Sequence, residues 1–370
     1  MRGKMPQKKS MTKLEKLRRF YNRYERYLIP GALVFGFITD VLTFDFLDFN
    51  LAMLLLLGQL LLVGANISVI NLYEEKVVSG KIFSYWRVLA PVLLQYSFGN
   101  LFSAFLIFYS HSGSLFASWP FIVIVVFLMI GNEVFRKYNV RPTIQIGVYF
   151  FAIFSYLNIL LPHLLKDLGA GIFIASGLIA LFLVTLFIHI LSIYTFRVDD
   201  KKRALSFCIG GIFCLMNFLY FFNFIPPIPL SMREIGVYHD IERVDSGYRV
   251  VTEKDDPLWR SLLFYERRHI PSETQIIYVF SAVYAPEEME LEVAHEWQRF
   301  NEQKRKFETI AEIPFTVRGG NDEGYNWFTY YNAYPGRWRV NVRTREGHII
   351  ERRDFYVIRE QEVPRIIKEI

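Results

Sequence analysis

Five polar side chains interrupt stretches otherwise built of Leu, Ile, Val and Phe: Asp40, Gln59, Asn100, Asn158 and Asn217. An ionisable group at the middle of a bilayer costs about 2.5–3.5 kcal/mol on insertion scales, so Asp40 needs a reason to be there. Counted at about 1.5 Å per residue along helical spans, all five fall at a similar depth, in the outer half of a membrane. Two chemistries fit them. Amide side chains join helices through hydrogen bonds of about 0.6 kcal/mol each, which is the commoner use. Alternatively the five form a polar belt around an outward-opening cavity, with Asp40 as its charged element.

A second set lies toward the C-terminal end. His295 and Trp297 are two residues apart and share one face of an extended segment, where they read as core or as a ligand contact. Asp322 and Glu323 follow Gly319-Gly320 at a turn, and two carboxylates without a third ligand make a poor cation site. Tyr325, Trp327, Tyr330, Tyr331, Tyr334 and Trp338 are interleaved with Arg337, Arg339, Arg343 and Arg345. Aromatic and Arg side chains dominate contact energy at binding surfaces, so His295, Trp297, Asp322, Tyr325, Trp327, Arg337 and Arg339 are the candidate ligand-binding residues. The competing reading of the arginines is a solvated face that protects a sheet edge from aggregation. No HExxH, CxxC, GxSxG or phosphate-cradling glycine loop occurs. His163 and His189 stand near the ends of apolar stretches without metal-ligand spacing, and no catalytic residue, metal or cofactor is expected.

The elements that must position these groups follow from hydropathy and charge. The hydrophobic fraction of 52% and the aromatic fraction of 17% exceed soluble averages, and the mean hydropathy is +0.22. Apolar segments near Tyr27–Leu47, Leu51–Tyr73, Val88–Tyr109, Leu115–Phe135, Thr143–Leu164, Gly169–Phe196 and Ala204–Phe224 are each long enough to cross a hydrocarbon core of about 30 Å. The overall charge of +6 is unevenly spread: 21 Lys+Arg against 11 Asp+Glu precede Ser231, and 21 against 25 follow. The N-terminal arm and every second connection (Glu74–Arg87, Arg136–Arg141, Arg197–Arg203) are basic, whereas Asp45–Asn50, Ser110–Ser114 and Pro162–Leu168 hold one Lys among them. By the positive-inside rule the N-terminus is cytoplasmic, and seven spans put the C-terminal part outside. The basic residues therefore read as topogenic charge, not as a nucleic-acid surface. No cleavable leader is expected, since a full-length span without an A-x-A-like site follows the basic arm. The arm itself mixes Leu14, Leu17, Phe20 and Tyr24 with Lys and Arg, as a topology signal or as a helix lying on the anionic leaflet. Glu133 with Arg136 and Lys137 reads as an interfacial ion pair. Cys208 and Cys214 face different sides of one helix and cannot bridge each other.

After Pro226, Pro227 and Pro229, which stop the last helix, the segment 226–273 reads as a polar juxtamembrane linker with an amphipathic piece around Trp259–Tyr265. Period-two alternation then predicts strands at Gln275–Ala285, Met289–Trp297, Phe307–Val317, Tyr325–Tyr331, Arg337–Thr344 and Ile349–Val357. Pro314 belongs at a sheet edge, and Glu346-Gly347 marks a tight hairpin. Short antiparallel strands at this spacing point to an immunoglobulin-like sandwich over 274–370. The expected organisation is a basic cytoplasmic arm (1–26), an all-α seven-span membrane bundle (27–225), a linker (226–273) and an all-β sandwich outside the cytoplasm.

The run Tyr278-Val-Phe-Ser-Ala-Val-Tyr-Ala-Pro286, then His295-Glu-Trp297, Gly319-Gly-Asn-Asp-Glu-Gly-Tyr325, Gly336-Arg-Trp-Arg-Val340 and Asp354-Phe-Tyr-Val357 resembles a bacterial module, domain of unknown function 2914. Proteins with this module often carry a preceding multi-span region, as this chain does. The resemblance is most specific over Ile276–Ile358, and Asn321 stands where the module usually has Arg. It implies a fold and an envelope location and no activity. The expectation for function is a non-enzymatic envelope protein, its partners the lipid bilayer and an envelope glycan or exported protein. The rival is a membrane enzyme or transporter that handles a lipid-linked or small polar substrate through the Asp40 belt. Neither reading fixes whether the chain forms a homo-oligomer.

Overall fold

The computed structural model describes residues 13–43, 49–111, 123–124, 141–225, 230–244, 247–253, 266–270, 275–285, 289–321, 324–359 and 364–370. Among the described residues seven helices are delimited in the N-terminal half: α1 (Lys13–Thr43), α2 (Phe49–Glu74), α3 (Lys81–His111), α4 (Arg141–Leu165), α5 (Ala170–Tyr194), the short α6 (Phe196–Asp200) and α7 (Lys202–Phe221). All but α6 are long and apolar enough to cross a membrane, and they coincide with six of the seven expected segments. The expected span Leu115–Phe135, with the Glu133 pair beyond it, lies outside the described residues except at 123–124. α1 starts at Lys13 and runs unbroken past Tyr27, so the described part of the basic arm continues the first apolar helix.

The chain clusters into two compact units. The first comprises residues 1–107, 122–160 and 173–218, the second 108–121, 161–172 and 219–370. Close helix contact in the first unit is set by glycine. A Cβ on Gly36 would run into the carbonyl oxygen of Tyr96, and one on Gly99 into that of Leu33. Only residues without a side chain let two helix backbones approach so closely, which is how helices associate where burial from water supplies no driving force. Gly64 beneath Tyr149, and Gly177 beneath Phe154 and Phe213, act in the same way on aromatic neighbours. Gly171, a small residue spaced four from Ala175, has no atom within reach of such a Cβ and takes no part in this packing. The outward faces carry Leu54, Leu61, Phe182, Ile193 and Phe207, the last of these 84% exposed.

In the second unit the strands are β1 (Ser231–Tyr238), β2 (Asp240–Val244), β3 (Gly247–Glu253), β4 (Glu266–Ile270), β5 (Gln275–Tyr284), β6 (Glu290–Asn301), β7 (Lys306–Arg318), β8 (Tyr325–Ala333), β9 (Gly336–Thr344), β10 (Ile349–Arg359) and β11 (Arg365–Glu369). They form three sheets with orders β1-β5-β8, β4-β10-β9-β6-β7 and β11-β3-β2. The first two pack face to face around Val237, Ile277, Val279, Trp297, Trp338, Val340 and Phe355. The third covers the opposite face of the first through Tyr238, Ile241, Val250, Phe280 and Ala282. β5 is thus buried on both faces, Val279 toward one neighbour sheet and Phe280 toward the other. Pro314 lies in β7, an edge strand, where its missing N–H costs no ladder bond. Gly347 turns the β9–β10 connection at φ 90°, a conformation that favours glycine.

All six expected strands are present, and the linker reading of 226–273 is corrected. Four strands lie there, β1 to β4. Their charged residues, Arg233 and Glu234 in β1 and Glu242 and Arg243 in β2, break the period-two signal because β1 and β2 are edge strands with a solvent-facing side. Pro226, Pro227, Pro229 and the piece Trp259–Tyr265 lie outside the described residues.

Candidate functional site

In the β-rich unit, His295 and Trp297 lie side by side on the inner face of β6, and both are fully buried. The imidazole is held at both ends, Nε2 at 2.8 Å from Ser281 Oγ and Nδ1 at 2.8 Å from Thr329 Oγ1. Trp297 Nε1 donates to the same Thr329 oxygen at 3.1 Å. Burial pushes the His295 imidazole down to about 3, so the ring is neutral at physiological pH. A Ser and a His at hydrogen-bond distance are the beginnings of a nucleophile–base pair. Here Ser281 is as buried as His295, and no substrate carbonyl can reach it. The trio is a core network that satisfies its own polar atoms. His295 and Trp297 are therefore withdrawn as ligand contacts.

The arginine face is a set of ion pairs. Arg339 grips Asp354 with two bonds, Nε to Oδ1 at 2.6 Å and Nη2 to Oδ2 at 2.8 Å, while Arg337 adds a third at 3.3 Å. The Arg339 guanidinium also lies 3.9 Å from the Phe307 ring centroid, a cation–π contact. Arg343 pairs with Glu312 at 2.7 Å and approaches Glu296. Glu296 in turn accepts from Thr309 and Asn341. Burial alone would raise the Glu296 carboxyl, and these donors with Arg343 bring it below its ordinary value. Arg337 and Arg339 thus hold β9 to β10 and β7; they are largely covered and stand on the central strand of their sheet, so they are neither a solvated edge guard nor free for a ligand. Asp322 lies outside the described residues.

Of the remaining candidates, Tyr325 and Trp327 do stand together at the surface. Trp327, 40% exposed, stacks against Phe315 with centroids 5.8 Å apart and planes 16° apart, and against Tyr325 at 6.4 Å and 19°. Tyr330, on the opposite face of β8 beside Tyr278, and Tyr334 beyond the end of the strand are also exposed. β8 is the outer strand of its sheet, so one row of its backbone N–H and C=O groups has no strand partner among the described residues. This is the one part of the predicted surface whose rings and backbone both remain accessible.

In the helical unit the belt separates into two groups. Asp40, Gln59 and Asn100 line a single cavity of about 220 Å³, together with Thr39, Thr43 and Tyr96. Asn158 and Asn217 are not among its lining residues, and Asn217 donates instead to the carbonyl of Phe213 one turn back in its own helix. A larger cavity of about 760 Å³ is lined by the same three helices nearer the start of α1, by the α2–α3 connection and by the first turn of α4, with Arg18, Glu25, Glu74, Arg87 and Gln145 on its walls. Glu74 there is shared by Arg87 at 2.8 Å and by Arg197.

One polar cluster has no counterpart in the sequence reading. Glu253, at the end of β3, is nearly buried and accepts from His239 Nε2 and His269 Nδ1, each at 2.8 Å. The main-chain N–H of His269 also points at it. Burial works to raise the Glu253 carboxyl, yet the bonds from His239 and His269 outweigh it and hold it at about 2. The two histidines are 30 residues apart in sequence, in segments read as linker, so no local spacing could reveal the cluster. Among the described residues no group of three or more His, Cys, Asp or Glu side chains is arranged to hold a metal.

No curated protein and no solved structure matches the chain. Residues 290–357, from β6 through β10 and so including the Arg339–Asp354 pair and the Trp327 row, match the family described as "Protein of unknown function (DUF2914)", whose members are uncharacterised.

Proposed function

We propose that this chain is an integral membrane protein of a bacterial envelope whose exported β-sandwich binds an exported protein, or a glycan of that envelope, without catalysing a reaction. The supporting observation is the aromatic row Phe315–Trp327–Tyr325 beside the open edge of β8. Trp327 has neighbours stacked on it, so a planar sugar has little free ring face there. An extended protein segment fits better, because strand addition to β8 satisfies unpaired backbone groups while Trp327 and Tyr330 supply anchors.

The fold belongs to the same reading. The order β1-β5-β8 facing β4-β10-β9-β6-β7 corresponds to strands A-B-E facing G-F-C-C′ of an immunoglobulin-like sandwich, with β4 added beyond β10. Trp297 then occupies the buried tryptophan position of strand C. The β2–β3–β11 sheet is an addition to that plan. Six apolar helices, the apolar stretch Leu115–Phe135 taken as a seventh span, and the alternation of basic connections support a multi-pass anchor in the inner membrane, N-terminus in the cytoplasm and sandwich outside.

The test uses the full chain in living cells, with a photo-crosslinking residue at Tyr330 or, as a control, at the exposed Ile367 of β11. The expected result is a discrete adduct from position 330 that Trp327→Ala abolishes and that position 367 does not form. No adduct, or the same adduct from both positions, overturns the binding reading. Placement outside the cytoplasm is tested separately by a cysteine at Ile310 in a background lacking Cys208 and Cys214. A membrane-impermeant maleimide labels it in intact spheroplasts if the domain is exported, and only after lysis if it is not.

A further inference from the structure

Asp40 belongs to the helical unit and has no Lys, Arg or His beside it in the cavity that it lines. The polar groups around it are neutral: the hydroxyls of Thr39, Thr43 and Tyr96 and the amides of Gln59 and Asn100. Asp40 Oδ2 and Gln59 Oε1 are buried atoms without a hydrogen-bond partner, and Ser103 is the hydroxyl that approaches the carboxylate. The Thr39 hydroxyl lies 2.9 Å from the carbonyl of Gly36 and 3.2 Å from Asn100 Oδ1. The Thr43 hydroxyl lies 2.8 Å from the carbonyl of Thr39. Both threonines therefore direct their hydrogens at neutral oxygens, and their lone pairs stay free. One carboxylate among neutral oxygens is an environment for a hard cation. A single negative charge balances a single positive one, which disfavours a divalent ion, and the same charge repels anions.

We propose that this cavity binds one alkali cation of sodium size, with Asp40 as the charged ligand and Gln59, Thr39 and Thr43 as neutral oxygen donors. The proposal accounts for Asp40 lying in an apolar helix with no Lys, Arg or His among the described residues that line its cavity, the situation in which an intramembrane carboxylate marks an ion site. It is independent of any partner at β8. Along α1 and α3 the larger cavity (Arg18–Ile29, Ser84–Gln95) lies before the Gly36–Gly99 contact, whereas Thr39, Asp40, Thr43, Asn100 and Ala104 of the cation cavity lie beyond it.

The experiment is thermal unfolding of the purified full chain in lipid nanodiscs, in sodium chloride against choline chloride at equal ionic strength and pH. The protein in sodium is expected to melt roughly 5 °C higher once sodium exceeds its Kd about a hundredfold. Asp40→Asn should abolish the difference, and Gln59→Leu should shift its midpoint to roughly tenfold higher sodium, the scale set by one lost ligand of about 1.4 kcal/mol. Equal melting in both salts overturns the proposal, as does a sodium effect that survives Asp40→Asn. A response to pH with none to salt identity overturns it in favour of a proton site. If Asp40→Asn fails to accumulate, equilibrium binding of radioactive sodium to the unmodified protein decides: one site per chain is expected, and none refutes it.

Discussion

Carboxylates are withdrawn from water in both halves of the chain, and Asp40, unlike Glu74 of its own unit, is treated differently from those of the β-rich unit. In the β-rich unit each one is surrounded by donors. Glu253 accepts from two histidine rings and a main-chain N–H, Glu296 from Thr309 and Asn341 with Arg343 beside it, and Asp354 from Arg337 and Arg339. In the helical unit Asp40 keeps an oxygen with no partner and faces a cavity. A carboxylate that has used its lone pairs holds strands together, and one that has not is available to something outside the chain. The largest expected effect tests this contrast directly. Glu253→Ala removes the shared acceptor of three donors and should destabilise the β-rich unit by about 3 kcal/mol. Asp40→Asn in sodium-free buffer removes an insertion cost instead, and the helical unit should melt no lower than the unmodified protein. Thermal unfolding of the two full-length variants, followed by intrinsic fluorescence and by helical circular dichroism, measures both. Equal losses from the two substitutions would dissolve the distinction.

Acid should act first on the β-rich unit, and the direction follows from two groups. His295 is held at about 3, below the ordinary imidazole value. A base lowered in the folded state takes up its proton on unfolding, so its contribution is complete above about pH 6.5 and declines as pH falls, by at most about 1.4 kcal/mol per unit. Glu253 is held at about 2. An acid lowered in the folded state contributes fully above its ordinary value, and that contribution is lost as pH falls from about 4.5 toward 2. Unfolding free energy measured from pH 7.5 to 5 should therefore slope downward in the unmodified protein. It should be shallower in His295→Gln, which removes the titrating ring, and what remains should come from His348, whose imidazole is also lowered by burial. A slope unchanged by that substitution would show that the acid response resides elsewhere.

How much of this contrast was legible in the sequence depends on the range of each signal. Apolar runs of about 20 residues and period-two alternation are local, so the long helices and the strands from β5 to β10 could be read directly. Strands β1 to β3 could not, because Arg233, Glu234, Glu242, Arg243 and Arg249 sit at exposed positions and break the alternation, while Tyr238, Ile241 and Val250 are buried only once the third sheet folds over Phe280 and Ala282. The alternation placed His295 and Trp297 on one face but could not say which face was inward. The depth argument grouped Asp40 with four amides, yet depth along a helix says nothing of azimuth. Only Gln59 and Asn100 turn toward the same cavity. Trp327 and the arginines were grouped by density, and what separates them is pairing across strands, through Asp354, Glu312 and Phe307.

The arginine face offers the finest division of the β-rich unit, between charges that join strands and charges that merely sit in solvent. Arg339 and Asp354 are 18% and 11% exposed and make a two-pronged bond over the Phe307 ring. Arg345 and Glu292 are 81% and 48% exposed and 3.4 Å apart. Screening and side-chain entropy leave exposed pairs of the second kind worth 0–1 kcal/mol, whereas a bidentate, largely covered pair retains more of its attraction. Arg339→Ala should therefore cost about 2 kcal/mol, and most of the loss should persist in 0.5 M salt, since covered charges are poorly screened. Arg345→Ala should cost less than about 0.5 kcal/mol, vanishing in the same salt. The Tyr330 crosslink should survive both changes, because neither arginine lies on β8. Should Arg339→Ala abolish the crosslink without lowering stability, the face would be a contact surface after all, and Asp354 would be holding the guanidinium in place for a partner.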